Sequence, residues 1–348
     1  MKNKFNIKKE EIMAIICTSV AIILFMIIMP TAVITTGTTK INNDEKDKSV
    51  MSNVSANSEI KFTGDEKISV YITSKGVIEE MSVEDYVCGV VANEMPAEFN
   101  IEALKAQAVA SRTYLASKAV NKCVNGHGAD ICDSVHCQVY TSKENRMDKW
   151  QEDKAEEYWE KIERAVKETE GQVISYNREL AMYPQFFATS SGRTENSEDA
   201  NWGSIPYLKS VVSEGEEVAP KYTSEKSMPL GEFVNSINIK YPEANVDLNN
   251  IDNEISVLSR SEAGGVKNLM VGNKEVKGSD FRFLVGLNST NFTYVIKENE
   301  IVFDCKGYGH GVGMSQWGAN AMAKNGGSYD EIIKHYYSGV DISTLKYE

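Results

Sequence analysis

The fold class the sequence predicts is α+β: a helical core carrying a candidate catalytic glutamate, packed on a mixed or antiparallel β region and preceded by one N-terminal transmembrane helix. Three observations predict it. Residues 83–119 hold two runs with apolar side chains at helical spacing. Short β-type runs (ISVLS, FRFLVGL, FTYVI, EIVFD) recur between residues 255 and 303. Residues 13–39 carry no charge and approach the ~20 residues a membrane helix needs. The organisation that follows is a cytoplasmic tail (1–11), a transmembrane anchor (12–36), a flexible stalk (37–58) and an extracytoplasmic catalytic domain (59–348), with a division into lobes at about 59–212 and 213–348.

Lys2, Lys4, Lys8 and Lys9 precede the apolar run, which keeps the N-terminus inside and puts the rest of the chain outside. A cleaved signal peptide is the rival reading. The run is long and lacks a small-residue cleavage site, which favours a retained anchor. Residues 40–58 are polar and free of aromatics, as a stalk requires. The formal net charge is −13, with 37 Lys+Arg against 50 Asp+Glu. That argues against a nucleic-acid partner, which calls for a basic stripe.

Residues 60–78 alternate as a hairpin does. Ser82 can cap the next helix, with Asp85 in its first turn. Val83, Val87, Val90 and Val91 form a stripe whose next position is Glu94, and Pro96 stops the helix just after it. An apolar surround and the negative end of the helix dipole both raise a carboxyl pKa there, which suits a general acid. A Glu94 turned out to solvent is the plainer alternative. Asn100 can cap a second helix over 101–119, with Leu104, Ala108 and Leu115 inward and Arg112 on a neighbouring face. Residues 150–169 are strongly charged, yet Trp150, Tyr158, Trp159, Ile162 and Val166 make a one-sided stripe, so an amphipathic helix is expected. Strands are expected at 172–176, after 186–187, and at 205–212, with a polar turn region at 190–203. Helices are expected at 229–239, 318–323 and 329–336. There is no internal repeat.

Three constellations can carry chemistry. CVNGHGADICDSVHCQVY places His127, Cys132, His136 and Cys137 within eleven residues, with Cys123 just outside. Four such ligands suit tetrahedral zinc, and a saturated set would make the ion structural. Disulfides are the competing reading outside the cell. Excluding Cys17 in the apolar run leaves five cysteines, which cannot all pair. GYGHGVGMSQWGA (307–319) places His310, Ser315, Gln316 and Trp317 among glycines that allow unusual torsions and close backbone approach. An ordinary glycine-rich turn is the alternative. ATSSGRTENSEDANWGSIPYLKS (188–210) offers the hydroxyls of Ser190 and Ser191 with Arg193, Trp202, Tyr207 and Lys209, a set a sugar cleft uses. Tyr207 and Lys209 fall two apart on the expected strand, hence on one face.

VVANEMP at 90–96, ALKAQAVASRTY at 103–114, HCQVY at 136–140 and GYGHGVGMSQWGA at 307–319 together resemble the stage II sporulation protein D family, over roughly residue 60 to the C-terminus. The resemblance implies a peptidoglycan lytic transglycosylase working between mother cell and forespore during engulfment. It implies an amidase that first strips stem peptides, and a polytopic membrane partner. It makes Glu94 the catalytic acid, implicates Arg112, Tyr207 and Lys209 in activity, and implies zinc on the loop matching 127–137.

Such an enzyme cleaves the bond between N-acetylmuramic acid and N-acetylglucosamine. A protonated Glu94 can donate to the leaving oxygen and then accept the proton of the sugar's own 6-hydroxyl, which closes a 1,6-anhydro ring. A hydrolase needs a second carboxylate; Glu98 is the one near in sequence, and Pro96 separates it from the first helix. Arg112 could anchor a substrate carboxylate. The alternatives are a water-using muramidase, a non-catalytic peptidoglycan-binding scaffold and a zinc hydrolase.

Overall fold

The fold is arranged around a helix that is enclosed on nearly every side. Ile101–Val120 buries Ala103, Leu104, Ala106, Ala108, Val109, Ala110 and Leu115 over its whole circumference. Its alanines let neighbours approach closely. Those neighbours are the helices Val83–Glu94, Glu152–Lys167, Gln316–Lys324 and Tyr329–Tyr336 and the strand Gln172–Tyr176. This computed structural model describes residues 58–62 and 66–347. The expected cytoplasmic tail, membrane anchor and nearly all of the stalk lie outside the described residues. Among the described residues no helix is long and apolar enough to cross a membrane.

The expected caps are present. Ser82 accepts from the Asp85 amide, and the Val83–Glu94 helix stops at an extended Met95, before Pro96. Asn100 accepts from the Glu102 amide. The amphipathic helix spans Glu152–Lys167 and buries Ala155, Trp159, Ile162, Ala165 and Val166. Lys67–Ile72 and Val77–Ser82 make the antiparallel hairpin, extended by a parallel Ile131–Cys132 from the cysteine-rich loop. Ser58–Phe62 runs parallel to the C-terminal strand Asp341–Tyr347, which pairs antiparallel with Gln172–Tyr176.

A second core lies within one insertion. Phe233, Phe281, Phe292 and Phe303 are fully buried in mutual ring contact. Around them stand two three-stranded antiparallel sheets, from residues 223–306 and 255–277. The helices Leu230–Lys240 and Gly278–Val285 complete this core. The chain then returns to the first core from Val312 to Val340. A division at 212/213 therefore does not follow the two cores.

Two element assignments are corrected. FRFLVGL lies in a helix, Gly278–Val285, closed by Gly286 in the left-handed region. Its Phe281 and Val285, one turn apart, are buried, whereas Phe283 is 75% exposed. Residues 205–212 form no strand beyond an isolated bridge from Val212 to Arg193. Tyr207 is consequently buried while Lys209 is half exposed, so the two do not share a face.

Arg112 is the third correction. Its side chain is wholly buried and forms a fork on Glu84, Nε to Oε1 at 2.8 Å and Nη2 to Oε2 at 2.5 Å. Nη1 donates to the Gln172 carbonyl at 3.0 Å. The guanidinium thus ties two helices to a strand and presents nothing to a substrate carboxylate. Removing it leaves Glu84, 29% exposed, with only the Gly171 amide at 3.3 Å, a loss of about 3 kcal/mol. Arg112→Met should lower Tm by about 8 °C in thermal denaturation; an unchanged Tm would contradict this structural role.

Candidate active site

The carboxyl of Glu94 sits where the last turn of the Val83–Glu94 helix meets two distant segments. Gln316 Nε2 donates to its Oε2 at 3.1 Å, and the Val139 amide donates to its Oε1 at 3.4 Å. Gln316 Nε2 also lies 3.5 Å from Gln107 Oε1, and Gln107 donates to Ser111 Oγ at 3.0 Å. Burial pushes the Glu94 pKa up, and the two amide contacts pull it down less strongly. Glu98 is exposed and accepts from the Tyr158 hydroxyl at 2.9 Å, on the flank of another helix. Among the described residues no second carboxylate donates to or accepts from Glu94.

What brings Gln316 there is the segment 307–319. Gly307, Gly309, Gly311 and Gly313 all have positive φ, which side-chain-bearing residues rarely adopt. At Gly313 a Cβ would also overlap the Gln185 carbonyl, because Met314–Ser315 pairs in parallel with Phe186–Phe187. Ser315 then caps the Gln316–Lys324 helix. Docking of the Pro96 turn completes the approach. The Asn100 amide donates to Asn320 Oδ1 at 2.8 Å, and Trp317 packs edge-on against Phe99 at 4.8 Å.

Ser190 and Ser315, expected to touch substrate, are buried on a residue the sequence did not single out. Glu216 Oε1 accepts from the Ser190 and Ser213 hydroxyls at 2.7 and 2.5 Å. Its Oε2 accepts from the Ser190 amide and the Ser315 hydroxyl at 2.8 and 2.6 Å. These serines serve a carboxylate of the protein itself. Ser191 donates to the Ala263 carbonyl at 3.2 Å. Tyr207 is buried, and its hydroxyl accepts from the Tyr183 amide at 2.9 Å. Lys209 is 3.3 Å from Glu198 at the surface. His310 lies between the rings of Phe187 and Trp202, at 5.5 and 4.7 Å. Burial, with the Arg282 charge nearby, pulls its pKa down to about 4. Of the expected site residues described, only Gln316 hydrogen-bonds to Glu94. Gln107, an uncharged polar residue one turn before Ser111 on the enclosed helix, is the sequence signal for this contact.

The cysteine-rich loop converges, with one change of membership. One ligand atom from each of Cys123, Cys132, His136 and Cys137 lies within 4.8 Å of the others. His136 Nδ1 is 3.4, 3.8 and 3.4 Å from the sulfurs of Cys123, Cys132 and Cys137. Cys123 and Cys137 stand 3.4 Å apart, as thiols. Ligands at zinc bond lengths in a tetrahedron are separated by about 3.5–3.8 Å, so the set fits such an ion. His127 is the correction. Turns from Cys123 to Gly126 and from Gly126 to Ala129 fold Cys123 inward. His127 adopts φ 51° and is exposed, its ring 4.3 Å from that of Tyr71.

A family profile described as SpoIID: Stage II sporulation protein matches residues 71–176, which include Glu94 and the cysteine-rich loop. The chain is 40% identical over 279 residues to the stage II sporulation protein D of Bacillus amyloliquefaciens, covering 79% of this chain and 78% of that protein. The namesake of Bacillus subtilis (strain 168) matches with the same identity and coverage. A protein of that organism named amidase enhancer is 27% identical over 314 residues, 74% of this chain and 40% of its own length.

The Glu216 network yields a direct test. Glu216→Ala leaves three buried hydroxyls without their acceptor, at a cost of about 3 kcal/mol. Denaturant unfolding should show a lower midpoint with an unchanged slope. A midpoint equal to that of the unmodified chain would rule out the organising role.

Proposed function

The chain belongs to the stage II sporulation protein D family, and from that premise we propose that it is a peptidoglycan lytic transglycosylase with Glu94 as its single acid and base. The observation that carries the reading is the desolvated carboxyl of Glu94 held against Gln316 of the glycine-rich segment. Protonated Glu94 donates to the oxygen between N-acetylmuramic acid and N-acetylglucosamine, and that C–O bond breaks. Ionised Glu94 then takes the proton from the 6-hydroxyl of the muramyl residue. The freed oxygen bonds to the anomeric carbon, giving a 1,6-anhydro end and regenerating the acid. A water-using route needs a second carboxylate, and the engagement of Glu98 by Tyr158 speaks against it. Arg112 is a positioning residue in this scheme, since its guanidinium is spent inside the protein.

The uncharged segment after four lysines supports a retained anchor with the domain outside the membrane, in septal wall remodelling during sporulation. An amidase that strips stem peptides and a polytopic membrane protein are the partners proposed; the name of the amidase enhancer relative is in keeping with the first. Cys123, Cys132, His136 and Cys137 would hold a structural zinc. A bound ion would contribute cross-linking alone, because four protein ligands leave no open position.

Two measurements test this. Mass spectrometry of peptide-stripped glycan should show anhydro ends, and Glu94→Gln should lower the rate about 10³-fold; reducing ends would sink the mechanism. The alkaline limb of kcat/KM should follow deprotonation of Glu94, above the ordinary glutamate range, because burial raises its pKa. The same raised pKa means that Glu94 disfavours the folded state as pH climbs through it. The stability of Glu94→Gln should therefore fall less across that window. In the second measurement, Cys123→Ser should lose bound zinc by elemental analysis and melt about 10 °C lower, whereas His127→Ala keeps both; the reverse pattern would restore His127 to the ligand set.

A further inference from the structure

The two ends of a side-chain amide have nearly the same shape, so packing alone does not choose which end faces a neighbour; hydrogen-bond partners do. Gln107 and Ser111 are both wholly buried on the helix Ile101–Val120. Ser111 Oγ accepts from Gln107 Nε2 at 3.0 Å, which leaves Gln107 Oε1 turned toward Gln316 Nε2 at 3.5 Å. That nitrogen is the one that donates to Glu94 Oε2 at 3.1 Å. The other donor to Glu94 is held from the same place. The Ser111 carbonyl accepts from Gln138 Nε2 at 3.3 Å, one residue before the Val139 amide. A methionine would fill the space of Gln107 with no polar atom to satisfy. A buried amide is costly unless its ends are met, so the partners at its two ends are where its use lies.

We infer that Gln107 is a positioning residue: it fixes which end of the Gln316 amide faces Glu94, so that the acid meets an N–H donor and not a carbonyl oxygen. Reversing the Gln316 amide would set its oxygen against Gln107 Oε1 and Glu94 Oε2 together. The 3.5 Å separation is long for a hydrogen bond, which makes the contact a choice of orientation more than a strong tie. That choice matters because Glu94 has to work in two forms. A protonated carboxyl can donate to a reversed carbonyl, whereas an ionised one is stabilised only by the N–H end. With the amide free to turn, the reversed form would hold the proton on Glu94 and oppose its ionisation. Burial, the Gln316 amide and the Val139 amide are what move the Glu94 pKa, with no charged side chain among them. The orientation of Gln316 is therefore a principal means of setting when this carboxyl ionises.

Only the kinetic consequence rests on the glycan reading, and an NMR titration keeps the two apart. The Glu94 carboxyl is followed by carbon NMR in the full chain, with glutamate labelled at the carboxyl carbon and the resonance assigned by its loss in Glu94→Gln. Gln107→Met should lower the acid dissociation constant of Glu94 about 5-fold, because the N–H donor is absent for part of the time. Ser111→Ala, a smaller change, should lower it about 2-fold, and decides the matter where Gln107→Met does not fold. In a Gln316→Met background, Gln107→Met should have no further effect. On peptide-stripped glycan, Gln107→Met should cut kcat about 10-fold, leave KM unchanged and carry the alkaline limb upward with the titration. An unchanged dissociation constant in the folded variants, or an equal change in the Gln316→Met background, would overturn the role. A raised KM with kcat intact would do the same. Glycan left uncut by the unmodified chain would end the transglycosylase reading, and the titration would still decide the role of Gln107.

Discussion

The arrangement depends on one carboxyl that is partly desolvated and poorly satisfied. Glu94 receives two amide contacts, at 3.1 and 3.4 Å, too few and too long to offset the loss of hydration for an ion. Glu216 shows the opposite solution within the same core. It is 1% exposed and accepts four hydrogen bonds between 2.5 and 2.8 Å. Each of its oxygens is met by two donors. One acid is built as a fastening and the other is left poorly satisfied, and hydrogen-bond supply separates them.

Holding that contact requires segments more than two hundred residues apart. The Pro96 turn, the parallel pair at 186–187 and 314–315, and the Ser315 cap converge on the central Ile101–Val120 helix. Glu216 fastens Ser190 to Ser315 at the start of the helix that carries Gln316. A Cβ at Gly318 would collide with the Tyr336 hydroxyl, Ser213 and Glu216, which explains a glycine inside a helix that pays an entropic penalty for it. The second core intervenes in sequence between 223 and 306, yet it leaves this fastening intact because the chain leaves and re-enters the first core at neighbouring points. The Gly307 amide donates to the Tyr222 carbonyl at 2.7 Å.

Local rules made the early helices legible. Ser82 and Asn100 as caps, Pro96 as a stop and the valine stripe pointing at Glu94 each depend on neighbours in sequence. Partners distant in sequence were not legible. Arg112 reads as an anchor for a substrate carboxylate until Glu84, twenty-eight residues earlier, is known to face it. Ser190 and Ser315 read as substrate contacts because nothing in EGEE marks Glu216 as their acceptor. His127 and Cys123 exchange places through two tight turns that spacing does not encode. FRFLV alternates like a strand because Phe283 is apolar where a helix would place a polar residue.

The cysteine-rich loop follows from the same accounting. Residues 121–140 contribute a two-residue strand and few buried apolar side chains, with Val124 and Val135 each 88% exposed. Ordering a segment of that length costs on the order of 1–2 kcal/mol per residue in backbone entropy, more than so little burial returns. Four converging side chains at one point can offset it, since they tie the loop's start to its end. Just beyond that end lies Val139, whose amide points at Glu94. A loosened loop would withdraw one of the two donors that fix the carboxyl's orientation. The four converging side chains thus bear on Glu94 through the backbone.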